Sequence, residues 1–157
     1  MATYTFSPLR VRDAREMASW HYEGQYAFYD TDLFPLMLIA ALRRMLAILG
    51  IEAYAVRGER GDLAGTFSFT RLGDSVEIGL AMRPDLTGRS LGLDFVRSGM
   101  EFARRRYAPR TFTLDVACFN QRAITVYTRA GFSPVRTFQR RTKQGLVQFQ
   151  EMTCPAS

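Results

Sequence analysis

Apolar residues recur along this chain with two different periods, and each change of period marks a new element. Residues 3–8 alternate weakly and predict a first strand. Asp13 is placed to cap a helix that runs through Trp20. Residues 22–32 mix aromatic and polar side chains around Gly24, which predicts a loop or a broken helix. Residues 33–49 are apolar almost throughout and predict a buried helix, with Pro35 tolerated in its first turn and Gly50 at its end. The period then falls to two. Residues 52–57, 63–71 and 75–82 are short strand-like runs separated by glycine-containing turns, an antiparallel meander. Residues 91–106 return to a helical pattern, with Leu91, Phe95 and Phe102 opposing Arg97, Arg104 and Arg105. Residues 111–117 form a strand. Asn120 can cap a helix over 121–130, which Gly131 ends. Residues 132–141 and 146–153 predict a last hairpin across Lys143, Gln144 and Gly145. The order predicts an α/β protein with a mixed sheet and helices on its faces.

Composition narrows the class without changing this order. At 157 residues the chain suits one domain, 1–157, with a sizeable core. Its 47% hydrophobic and 23% charged content is that of an ordinary soluble protein. A net charge of +6 favours anionic partners. The two cysteines, Cys118 and Cys154, are far apart and His21 is the single histidine, so neither a zinc site nor a disulfide framework is expected. A cytoplasmic setting fits those cysteines. Residues 1–10 lack the order of a signal peptide, and Arg43 and Arg44 interrupt the apolar run 33–49, so no membrane segment is expected. The basic clusters Arg104, Arg105, Arg106 and Arg140, Arg141, Lys143 read as solvated faces, and nucleic acid is not an expected partner.

Two stretches carry candidate chemistry. The first runs from Arg83 to Gly92, between a strand and a helix start, and contains Gly88 and Gly92. Such a turn points several backbone N–H groups one way, at the positive end of a helix dipole, and so makes an anion site. The second is Asn120-Gln121-Arg122-Ala123-Ile124-Thr125-Val126-Tyr127-Thr128-Arg129-Ala130-Gly131-Phe132, in which Asn120 and Tyr127 stand two helical turns apart on one face. The first stretch resembles the R/Q-x-x-G-x-G/A loop of the GNAT-type N-acetyltransferases, with Thr87, Gly88, Arg89, Ser90, Leu91 and Gly92 at its positions. Thr87 departs from the usual Arg or Gln, and Ser90 from the middle glycine. The second is similar to that family's N-x-x-A-x-x-x-Y-x-x-x-G-F segment, and every named position is filled.

This resemblance implies a mostly antiparallel sheet of six or seven strands, splayed between strands 4 and 5 and flanked by about four helices. It implies acetyl transfer from acetyl-coenzyme A to a primary amine, by direct attack in a ternary complex. The loop residues, with Leu80, Ala81, Met82, Arg83, Asn120 and Tyr127, would hold the coenzyme. Tyr127 would protonate the leaving thiolate. Glu77, near the start of the fourth strand, would take the ammonium proton. A backbone N–H among Leu80, Ala81 and Met82 would meet the oxyanion. Arg83 and Arg89 flank the loop and could pair with phosphates.

The acceptor is implied to lie against the first two helices and the last hairpin; in the helical region Trp20, Tyr22, Tyr26, Phe28 and Tyr29 are interleaved with Glu23, Asp30 and Asp32. Trp20, Tyr22, Tyr26 and Tyr29 are the candidates for a pocket that suits a cationic amine. Each could equally pack on the core. A small molecule, a protein N-terminus or a lysine could all supply the amine, and a homodimer is left open. The rival reading keeps the fold and the coenzyme without turnover, as a sensor or interaction module.

Overall fold

The computed structural model describes residues 2–157. Seven strands hydrogen-bond in the order β1-β2-β3-β4-β5-β7-β6: β1 Thr5–Pro8, β2 Ile51–Arg57, β3 Leu63–Leu72, β4 Ser75–Met82, β5 Thr111–Ala117, β6 Ser133–Thr142 and β7 Gly145–Pro155. The helices are α1 Val11–Ala18, α2 Leu33–Ala41, α3 Arg43–Ile48, α4 Gly92–Tyr107 and α5 Gln121–Ala130, with 3₁₀ turns at Gly24–Tyr29 and Pro84–Leu86. Strand β2 runs antiparallel to β1 and β3, and β7 antiparallel to β5 and β6. Strands β4 and β5 pair in parallel, through Ser75–Thr111, Val76–Phe112 and Glu77–Thr113. That ladder is short because β4 and β5 part after Glu77, which is the splay expected at this point.

The chain divides into two compact units, and β4 contributes to both. One holds residues up to Thr70 together with Leu80–Leu91; the other holds Arg71–Gly79 and Gly92–Ser157. In the first, β1, β2 and the helices α1 and α2 close on Leu9, Ala14, Met17, Trp20, Leu36, Ala40, Ala55 and Leu63. Asp13 is buried there. It does not cap the helix from outside, as the sequence pattern suggested. It lies inside the first turn, where Oδ2 accepts the Arg10 N–H at 2.9 Å and Oδ1 pairs with Arg57. A carboxylate one turn further in satisfies an N-terminal donor as a cap does, so the helix begins before it.

The apolar run 33–49 departs from expectation in two ways. It is two helices, broken at Leu42, and it is buried along one row only. Leu36 and Ala40 face the core, while Phe34, Met45, Ile48 and Leu49 lie outward with 54–85% exposure. A run that is apolar on every side carries no period from which burial can be read.

In the second unit the core is Phe95, Val96, Met100 and Ala103 of α4, Phe112, Leu114 and Val116 of β5, and Phe132 and Met152. Helix α4 comes so close to α5 that a Cβ on Gly92 would sit 3.3 Å from Val126 Cγ2. Helix α5 is bracketed as the sequence predicts. Asn120 Oδ1 accepts the Ala123 N–H at 3.1 Å, and Gly131 ends the helix at φ 108°. Arg104, read as part of a solvated cluster, instead donates to the Ala156 carbonyl at 2.6 Å and covers the Phe112 ring.

Candidate active site

In the first unit one arginine builds the candidate phosphate loop. Arg83 follows β4 directly. Its Nη1 donates to Asp62 Oδ2 at 2.8 Å and to the Leu63 carbonyl at 2.9 Å, and its Nε to Asp85 Oδ1 at 2.6 Å. Its N–H donates to the Ala64 carbonyl at 2.8 Å. These hydrogen bonds hold the Asp62 and Asp85 carboxyls below the usual carboxylate range and raise the guanidinium further still. Arg83 therefore fixes the corner between strand and loop, with its donors engaged inside the chain. Thr87 turns its hydroxyl inward to the Pro84 carbonyl at 2.7 Å.

Beyond Thr87 the backbone opens. Gly88 and Ser90 both adopt the left-handed region, at φ 72° and 60°. Among the described residues the N–H groups of Gly88, Arg89 and Ser90 have no backbone acceptor. Successive backbone N–H groups in such a turn make a concavity suited to an anion. The arrangement fits a coenzyme pyrophosphate, and Arg89 is exposed beside it.

Ser90 is the position where the resembling loops carry glycine, and the backbone explains why they do. A side chain in the left-handed region costs about 1–2 kcal/mol, and glycine avoids most of it at an unfolded-state entropy cost of about 0.4–1 kcal/mol. Ser90→Gly is therefore expected to raise the melting temperature by about 2–4 °C, with no loss of coenzyme affinity, in paired thermal melts. A lowered melting temperature would mean that the serine hydroxyl holds the loop.

The aromatic segment 20–32 meets the end of β4 through one side chain. The Tyr22 hydroxyl donates to the Met82 carbonyl at 2.8 Å, and burial beside Asp30 pushes its pKa up to about 12, so it stays a donor. Asp30 accepts the Tyr22 N–H at 2.9 Å and faces His21 Nδ1 at 3.0 Å. Although partial burial works the other way, these two contacts hold its carboxyl below the ordinary range. Trp20 lies in the core cluster, whereas Tyr26 and Tyr29 are half-buried. Of the candidate acceptor residues, Tyr22 is bonded to the strand end.

The second unit carries a cluster of titratable residues of its own. Glu77 lies at the last β4–β5 pair, opposite Thr113. Asp115 is two residues further along β5, on the same face, and lies opposite Glu151 of β7, which lies opposite Arg136 of β6. Arg136 pairs with Glu151 at 2.6 Å and Arg140 with Asp115 at 2.6 Å. Glu77 has no ion-pair partner among the described residues. Burial, with Asp115 and Glu151 nearby, pushes its carboxyl above the usual value, and Arg140 opposes only part of this. Tyr127 is half-buried on α5, its ring edge against Phe132 at 6.1 Å.

Asp115, Glu151, Arg136 and Arg140 escaped the reading by sequence, which took Arg140 as a solvated charge. Strand parity was the available signal: these residues share one face once the register is known. No group of three or more His, Cys, Asp or Glu suited to a metal occurs among the described residues. No helix among them is long and apolar enough to cross a membrane.

Known proteins share this fold. Residues 4–133 match the family model described as acetyltransferase (GNAT) domain. The chain belongs to the GNAT acetyltransferase family. It is an acetyltransferase, and acetyl-coenzyme A is its acyl donor. No curated protein sequence matches it. Among solved structures, a chimera of spermidine N-acetyltransferase SpeG from Vibrio cholerae and hSSAT superposes with a TM-score of 0.81 at 14% identity, covering 98% of this chain and 95% of the other. The Vibrio cholerae spermidine N-acetyltransferase in complex with CoA and spermine gives 0.79 at 14% identity over 98% and 95%. A dodecameric form of that enzyme gives 0.75 at 14% over 98% and 94%. At such identities the likeness is one of fold.

Proposed function

We propose that this enzyme acetylates a primary amine of a small acceptor by direct attack in a ternary complex. The observation that carries the reading is Glu77, a partly desolvated carboxylate without an ion-pair partner, at the point where β4 leaves β5. When bound, acetyl-coenzyme A supplies an activated thioester. The N–H groups of Gly88, Arg89 and Ser90 would hold its pyrophosphate. Arg83 keeps that loop in shape through Asp62 and Asp85. Glu77 takes a proton from the acceptor ammonium, directly or through water, which frees the nitrogen lone pair. A backbone N–H among Leu80, Ala81 and Met82 donates to the oxyanion. The Tyr127 hydroxyl returns a proton to the leaving thiolate.

The spermidine-acetylating proteins of similar fold support an aliphatic amine and direct the first choice of compounds. Free thiol release is the measurement, with acetyl-coenzyme A and a panel of monoamines, diamines and polyamines. Saturable, amine-dependent release is expected. Tight coenzyme binding with no release on any amine would overturn the reading in favour of a sensor.

A further inference from the structure

The last hairpin already holds a cation in a setting suited to one. On β6, Arg136, Phe138 and Arg140 alternate on a single face. The Phe138 ring stacks on Phe149 of β7 with centroids 6.0 Å apart. The Arg140 guanidinium lies over both rings, 5.1 Å from the Phe138 centroid and 4.7 Å from that of Phe149. From there it crosses β7 to reach Asp115 of β5 at 2.6 Å. Two aromatic faces and a carboxylate are the recognition chemistry of an alkylammonium ion. Asp115 is also the first residue of β5 on Glu77's face beyond the last β4–β5 pair, and of the neighbouring charges it acts most strongly on Glu77.

Charge on this face is nearly balanced. Glu77, Asp115 and Glu151 meet Arg136 and Arg140, and the pairing leaves Glu77 alone without a counter-ion. That suits one ammonium. A second positive charge on the same acceptor would seek Asp115 and meet Arg140 already seated there.

We propose that Arg140 is a specificity-determining residue of the amine site: its guanidinium occupies the box of Asp115, Phe138 and Phe149, so a polycationic acceptor must displace it and a monoamine need not. The proposal rests on the amine-acceptor reading above. It makes this enzyme a poor binder of polyamines, unlike the spermidine-acetylating proteins whose fold it shares.

The test is equilibrium binding of spermidine and of propylamine to the full chain without coenzyme, by calorimetry. Arg140→Met keeps a stem over the two rings and removes the charge. Spermidine should bind Arg140→Met about tenfold more tightly than the wild type, and propylamine should change by less than about twofold. Arg140→Lys keeps a cation in the box and should keep the wild-type preference. Adding Asp115→Asn to Arg140→Met should cancel the gain. Equal spermidine affinity in wild type and Arg140→Met overturns the proposal, as does a gain that survives Asp115→Asn or appears equally in Arg140→Lys. Failure of the acetyl-transfer reading is recognised separately, by absence of thiol release on every amine, and leaves the binding comparison intact.

Discussion

Replacing Tyr127 by Phe is expected to lower turnover by about a hundred- to a thousandfold while leaving coenzyme affinity within about twofold. The substitution removes one oxygen. The ring stays, and with it the edge contact to Phe132 at 6.1 Å. The helix stays too, because its ends are fixed elsewhere, by the Asn120 cap and by Gly131. What is lost is the proton for the departing thiolate. A thiolate leaves more slowly without such a donor, and the loss falls on the chemical step rather than on binding. Steady-state turnover beside an independent titration of acetyl-coenzyme A separates the two. Unchanged turnover would pass the acid role to water or another group.

The second large effect belongs to Glu77. Glu77→Gln should cut kcat/KM by about a hundredfold near neutral pH, because glutamine cannot accept the ammonium proton. In the wild type the acid limb of the pH profile should fall at a pH above the ordinary glutamate value of about 4.3, since burial, Asp115 and Glu151 raise this carboxyl. Stability should move the other way. A carboxyl raised on folding binds its proton more tightly in the native state. Its contribution is fully present below the unfolded value and is lost as pH rises through the folded one. At neutral pH the wild type carries the whole penalty of an ionised, partly desolvated Glu77, and glutamine removes it. The variant is thus expected to melt no lower than the wild type at pH 7 and to lose its advantage in acid. A variant that is both inactive and markedly less stable would point to a structural carboxylate.

The elements that carry both residues were legible in the sequence because local rules place them, whereas the roles came from the family resemblance. Asn120 and Gly131 bracket α5 by short-range capping chemistry, so the position of Tyr127 on it follows from counting. Strand β4 was delimited by the glycine turn before it and by Arg83-Pro84 after it, and its observed bounds, Ser75–Met82, agree. The glycine pattern of the loop was equally local, and the positive φ of Ser90 falls at the one irregular glycine position. Where partners lie far apart in the chain, the pattern was silent. Arg83 meets Asp62 across twenty-one residues and Arg140 meets Asp115 across twenty-five. A charged side chain looks the same in sequence whether water or a carboxylate surrounds it. The outward row of α2 and α3 was hidden for a related reason: uniform hydrophobicity names a helix without naming its inner face.

Strand β6 lies at one end of the strand order. An outermost strand offers unpaired backbone to any other extended chain, and proteins that stay dispersed must blunt it. Here Pro134 removes a donor, a register shift between Pro134 and Arg136 bends the ladder, and Arg136 and Arg140 keep charge along the strand. The arginines that balance the acidic face thus also place charge along an open sheet edge. Selection toward polycationic acceptors would strip charge from the very strand that most needs it. Such variants should reach the limit of soluble expression before they reach the limit of catalysis.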